Sequence, residues 1–166
     1  MLVLDCEGHN LGVSSGTLSV IVLRSATPDA RTYLIDVPHL SPASLQPVLD
    51  LLRAPAIRKV VFDGRMDFSA LHHHALRAEL RNVLDLQLVD VMSRFARGET
   101  GETQRRRLRS FLKTDELHTR PRLHAQVHRL SSLDGCIAEH AVVPRKAGKP
   151  IKTKGESRSE PPSSYS

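Results

Sequence analysis

Residues 18–23, Leu-Ser-Val-Ile-Val-Leu, are β-branched and almost wholly apolar. That pattern specifies a strand covered on both faces, as in a sheet sandwiched between helices. Two further runs flank it. Leu2–Cys6 is a short apolar segment, and Thr32–Val37 is a third strand ended by Pro38. The Gly/Ser-rich link from Gly8 to Gly16 suits a hairpin joining the first two. Leu45, Val48, Leu49 and Leu52 fall at helical spacing, with Pro47 expected in the first turn of that helix, where its missing N–H costs little. Lys59–Phe62 gives a fourth strand. Asp67–Leu76 follows as a helix with Phe68, Leu71, Ala75 and Leu76 on one face, then Val83–Leu86 as a short strand running into a helix through Phe95. A break at Gly98–Gly101 precedes a last helical register over Leu123–Ile137. Three early strands followed by alternating helices and strands predict an α/β fold with a mixed sheet flanked by helices.

The core must be aliphatic, because 40% of the 166 residues are hydrophobic while Trp is absent and aromatics reach only 4%. No run approaches the roughly 20 apolar residues of a membrane span. The first residues lack the basic and apolar regions of a secretory signal. Cys6 and Cys136 lie far apart without a CxxC, which suits reduced core thiols better than a disulfide or zinc site. These features predict an intracellular protein, cytoplasmic or nuclear. The net charge is +6, but the segment 145–166 holds six Lys/Arg against two Glu, so the body carries only +2. From residue 144 onward Lys, Arg, Pro, Gly and Ser dominate. A folded unit over 1–143 and a disordered basic tail over 144–166 are expected.

Acidic residues at the ends of the strands carry the functional argument. Side chains alternate along a strand, so Asp5 and Glu7 project from one face while Leu2, Leu4 and Cys6 take the other. Neighbouring like charges are costly, and a divalent cation with a taste for oxygen removes that cost. The alternative is a solvated turn in which Asp5 caps the bend at Gly8. Asp67 follows a buried strand and a Gly turn. It is either a helix cap or a third carboxylate brought up to the first two, with Asp63 as a competitor on the strand exit. Asp85 stands where a short strand enters a helix, as a cap in the first instance and a ligand in the second.

The order Asp5-x-Glu7-Gly8, then Val61-Phe62-Asp63-x-Arg65-x-Asp67-x3-Leu71, then Asn82-Val83-x-Asp85-Leu86-Gln87-Leu88 resembles the DEDD family of 3′–5′ exonucleases in its RNase D-like branch. Ser131–Cys136 resembles a helix that some fungal-type members carry between their second and third motifs. The resemblance covers most of 1–143 and implies an RNase H-like fold and a two-metal Mg²⁺ or Mn²⁺ site. That site would release 5′-mononucleotides from the 3′ end of single-stranded or 3′-ended RNA or DNA. It implies Asp5, Glu7 and Asp67 as catalytic and metal-binding residues. Asp5 would bridge both metals, Glu7 would bind the water-activating one, and Asp67 would act on the leaving-group side. Asp85 is a secondary candidate, and Gly8, His9, Leu11 and Arg65 are implied to contact nucleic acid.

The family's third motif sets a Tyr or His four or five residues before a final Asp, and these 166 residues contain no such pair. The expectation is a chain truncated before the C-terminal part of the fold, with activity lowered by orders of magnitude or absent. An uncovered apolar patch on the sheet would then favour aggregation or a partner. The rival readings are a non-catalytic nucleic-acid-binding or adaptor module on the same fold, and a small α/β protein whose acids are only caps. His72, His73 and His74 are consecutive and cannot share one ion from a helix. Gln104–Arg109 suits either a phosphate contact or a solvated charged loop. No P-loop, GxSxG or zinc spacing occurs.

Overall fold

A computed structural model describes residues 1–140. The expected tail at 144–166, and with it the boundary at 143, lies outside the described residues. Five strands form one mixed sheet: β1 (Leu2–Glu7), β2 (Val20–Ser25), β3 (Thr32–Asp36), β4 (Lys59–Val61) and β5 (Val83–Asp85), in the order β3-β2-β1-β4-β5. β1–β2 and β2–β3 are antiparallel, while β4 pairs parallel with both β1 and β5. The expected α/β fold with a mixed sheet flanked by helices is borne out.

One face of the sheet carries the apolar core. Leu4, Cys6, Ile21, Leu23 and Val61 meet Leu45, Leu49 and Leu52 of α1 (Pro42–Arg53) and Ala70 and Leu71 of α2 (Arg65–His74). Each fully buried Leu or Ile here contributes roughly 1.5–3 kcal/mol. The opposite face is more open than the β2 sequence predicts. Val20 and Val22 are only half-buried, and Leu34 on edge strand β3 is 72% exposed.

Several boundaries differ from expectation. α1 begins at Pro42, where Ser41 Oγ accepts the Ser44 N–H at 3.1 Å. Pro47 therefore lies inside the helix and removes the N–H that would reach Ala43. The apolar register marked the buried stripe, but the Ser-Pro pair set the start. α2 starts at Arg65 rather than Asp67, and Phe68 and Leu76 face outward; Leu76 itself sits past the helix at φ +50°.

The region after β5 forms a second, more polar layer. It comprises α3 (Leu86–Ala96), α4 (Gly101–Leu108), α5 (Thr114–Thr119) and α6 (Leu133–Glu139). α3 turns Gln87, Asp90 and Arg94 inward and leaves Leu88, Met92 and Phe95 exposed. Asp90 accepts from Ser131 Oγ at 2.9 Å, pairs with Arg94 at 3.1 Å, and meets His140 Nε2 at 3.0 Å.

The helix expected over Leu123–Ile137 is not continuous. A 3-10 turn at Pro121–His124 leads into irregular chain, and only Leu133–Glu139 is helical. The carbonyls of that irregular chain are claimed from outside. Gln104 donates to Val127 O at 2.6 Å, Arg94 to Arg129 O at 2.7 Å and Gln87 to Ser131 O at 3.0 Å. A carbonyl committed to a neighbouring side chain favours open backbone over a helical ladder. Among the described residues, no helix is long and apolar enough to cross a membrane.

Candidate active site

The sheet opens at the carboxyl end of β1, where the candidate carboxylates Asp5 and Glu7 lie. The β1–β4 pairing ends at Val3↔Val60, whereas β1–β2 continues to Glu7↔Val20. Beyond Val3, β1 thus has a free edge on its β4 side. The first turn of α2 fills that gap. Gly64 takes the N-cap position without a side-chain bond, and Asp67 is the third helical residue rather than the cap. Its carboxylate reaches off the helix, and Oδ1 accepts the Cys6 backbone N–H at 2.7 Å. Asp67 is therefore docked on the residue between Asp5 and Glu7.

Asp5 and Glu7 project from the exposed face of β1, opposite Val22 and Val20. Asp67 is 6% exposed. Burial raises its pKa most strongly, the Cys6 N–H works against that rise, and the Asp5 charge adds to it, so the carboxyl is pushed up to about 6. The Cys6 thiol is pushed well above its ordinary range, first by burial and then by the Asp67, Asp5 and Glu7 charges, which leaves it a poor nucleophile. Among the described residues, no three His, Cys, Asp or Glu side chains are grouped to hold a metal ion as they stand. β1 and α2 bring Asp5 and Asp67 close enough for one to feel the other's charge, while Asp67 remains turned toward Cys6.

The neighbouring candidates have distinct positions. Asp63, at φ +55°, takes a two-pronged bond from Arg65 at 2.6 and 2.9 Å. That bond holds the Asp63 carboxyl below its usual range. Arg65 stays on the surface, beside a cleft of about 570 Å³ lined by Phe68, Leu80, Val83 and Leu88. Asp85 accepts three backbone N–H groups: Asp63 at 3.1 Å, Gly64 at 3.0 Å and Gln87 at 2.9 Å. It caps α3 and fastens the turn that launches α2. Replacing Asp85 with Ala is expected to cost about 2 kcal/mol, and with Asn about half of that, as read by chemical denaturation.

Gly8 lies where the β1–β2 connection folds back. A Cβ there would sit 1.9 Å from Thr17 O. His9 is exposed, with its N–H on Thr17 Oγ1 at 3.3 Å, and Leu11 is half-buried against the main core. This connection is tied to α2 by Ser69 Oγ donating to Gly12 O and by His74 Nε2 at 3.1 Å from Val13 O. Sequence reasoning reaches neither tie, nor the role of the Cys6 N–H. Backbone groups carry no residue-type signal, and Ser69 and His74 match no motif.

Residues 1–113 match the family model described as 3′–5′ exonuclease, of the DNA polymerase A type. The chain belongs to the 3′–5′ exonuclease family. The DEDD-type resemblance read from the motifs is borne out with it. Similar solved structures include Trypanosoma brucei RNase D in complex with RNA U12, at 30% identity over 52% of this chain and 30% of that one, with a TM-score of 0.42. The Aedes aegypti Nibbler EXO domain is 23% identical over 58% of this chain and 48% of its own, with a TM-score of 0.47. The EXD2 exonuclease domain is 22% identical over 76% and 72%, with a TM-score of 0.46. The exonuclease-family chain thus spans less than a third of the RNase D chain. No curated protein matches it.

Proposed function

We propose that residues 1–143 form a metal-dependent 3′–5′ exonuclease domain acting on single-stranded or 3′-ended RNA or DNA, with Asp5, Glu7 and Asp67 as its carboxylates. The observation that carries this reading is the buried Asp67 carboxyl, docked on the Cys6 N–H between Asp5 and Glu7 and pushed up to about 6. Desolvating an acid beside another acid is unfavourable for folding, and clustered perturbed groups of this kind mark functional sites.

The donor chemistry fits Mg²⁺ or Mn²⁺: three hard carboxylates, two of them exposed on one strand face. When bound, two such cations would supply a more acidic attacking water and charge neutralisation at the leaving 3′-oxygen. By the family resemblance Asp5 would serve both cations, Glu7 would bind the one that activates the water, and Asp67 would act on the leaving-group side. Asp67 must ionise and turn from Cys6 to take part. Gly8 and His9 border the strand end where a 3′-terminal nucleotide would enter; Arg65 and the half-buried Leu11 complete the proposed nucleic-acid contacts. Asp85 acts through the backbone of the α2 turn.

The Tyr/His-to-Asp pair of the third motif does not occur in these 166 residues, so turnover lower by orders of magnitude is expected of them. That same observation favours a second reading, a nucleic-acid-binding module without cleavage. Two free, buried thiols and a nucleic-acid substrate suit an intracellular place of work.

A 5′-labelled oligonucleotide incubated with Mn²⁺ separates the readings. A ladder of 3′-shortened products that is absent in Glu7→Gln is expected. Binding without shortening at any Mn²⁺ concentration selects the adaptor reading. A ladder unchanged in Glu7→Gln removes the site altogether.

A further inference from the structure

The arginine run after Gly101 is a helix rather than a loop, and the helix sorts its charges. On the inner side of α4, Gln104 bonds to Val127 O, Leu108 is buried, and Arg107 is held by Glu99 at 2.5 Å and Glu139 at 2.7 Å. These residues are committed to the fold. Arg105, Arg106 and Arg109 fall on the other side and share a cleft of about 230 Å³ with Glu102, Leu117 and His118. Glu102 pairs with Arg106 at 3.2 Å, with both side chains exposed. Among the described residues, Arg105 and Arg109 have no ion-pair partner. They stand one helical turn apart, so their guanidinium groups project along one edge of the cleft.

With Glu102 committed to Arg106, the cleft keeps two uncompensated cations, which favours an anion. Guanidinium forks suit phosphate oxygens, and a pair one turn apart suits a chain of phosphates better than a single ion. A second feature follows closely in the chain. Phe111, two residues past Arg109, is 69% exposed, and the Arg129 guanidinium lies 5.4 Å from its ring centre. A basic groove beside an exposed aromatic is the usual equipment for holding single-stranded nucleic acid, with phosphates on the arginines and a base on the ring.

We propose that the Arg105–Arg109 cleft is a second nucleic-acid contact, gripping the backbone of a single strand apart from the Asp5–Glu7–Asp67 carboxylates. The proposal rests on the reading of the domain as one that handles nucleic acid, and it needs no cleavage. His118 adds a donor at the cleft wall.

The test is fluorescence anisotropy of a 5′-labelled oligouridylate in EDTA, titrated over a series of KCl concentrations. The double variant Arg105→Gln/Arg109→Gln is expected to bind about tenfold more weakly. Its salt dependence, the slope of log affinity against log salt, should be shallower by about 1.4 for two lost phosphate contacts. Arg105→Lys/Arg109→Lys should keep most of the slope, because charge rather than fork geometry sets it. Thermal unfolding of both variants should match the parent, since neither arginine supports the fold. An unchanged slope in the Gln variant overturns the proposal, as does a parent protein that binds no oligonucleotide. Loss of slope in a protein that never shortens the strand leaves the cleft standing and removes only the enzyme reading. Mn²⁺-dependent shortening with an unchanged slope does the reverse.

Discussion

Asp67→Asn is expected to give the more stable protein and the poorer nuclease. The Asp67 carboxyl titrates at about 6 in the fold, against an ordinary value of 3.8. The folded state therefore holds its proton to higher pH than the unfolded state does. Between those values stability falls as pH rises, and above pH 6 the whole penalty is in force. Two pH units correspond to about 3 kcal/mol. Asn keeps an oxygen for the Cys6 N–H and carries no charge to desolvate. It forgoes up to about 1 kcal/mol of favourable interaction with the N-terminus of α2. The variant should therefore gain about 2–3 kcal/mol at pH 8, with the difference closing below pH 4, read as unfolding midpoints across pH. Mn²⁺ should stabilise the parent and not the variant, and any metal-dependent shortening should disappear. A variant no more stable than its parent at pH 8 would show that Asp67 is an ordinary, solvated first-turn acid.

Asp90→Ala is expected to cost about 3–5 kcal/mol, the largest loss from any single substitution considered for this chain. Asp90 and Arg94 are each about 2% exposed. Removing the carboxylate strands the guanidinium, whose remaining acidic neighbour, Glu99, is 3.9 Å away. It also leaves Ser131 Oγ and His140 Nε2 without their acceptor. Burial alone would raise the Asp90 pKa, but bonds from Ser131 and His140 and the Arg94 charge outweigh it and hold the carboxyl below its usual range. The stability it contributes is present above the ordinary carboxylate range and is lost as pH falls through its lowered folded value. Replacing the pair together, Asp90→Leu with Arg94→Met, should recover most of the loss, because no buried charge is left unpaired. Urea denaturation of the three proteins measures the coupling directly.

The strands were legible because burial on the core side leaves a plain record in composition. Leu4, Ile21, Leu23 and Val61 are apolar where they face α1 and α2. The shared face of Asp5 and Glu7 followed from alternation alone. What could not be read is whatever depends on partners remote in sequence. Leu123, Val127 and Leu130 keep a helical register, yet buried side chains on α3 and α4 claim the carbonyls around them. Phe68 belongs to the helix stripe by spacing, but the sheet face it would cover is taken by Ala70 and Leu71. Asp67 was legible as an acid near a helix start. Its docking on Cys6 was not, because it depends on where the β1–β4 pairing stops.

The layer beyond β5 is joined largely by side chains clasping main-chain oxygens, whereas α1, α2 and the sheet share an aliphatic interior. Bonds of that sort are individually weak and easily taken over by water. The two halves should consequently breathe at different rates. Amide deuteration would reach residues 86–140 through partial opening long before it reached β1 and β2, whose protection reports complete unfolding.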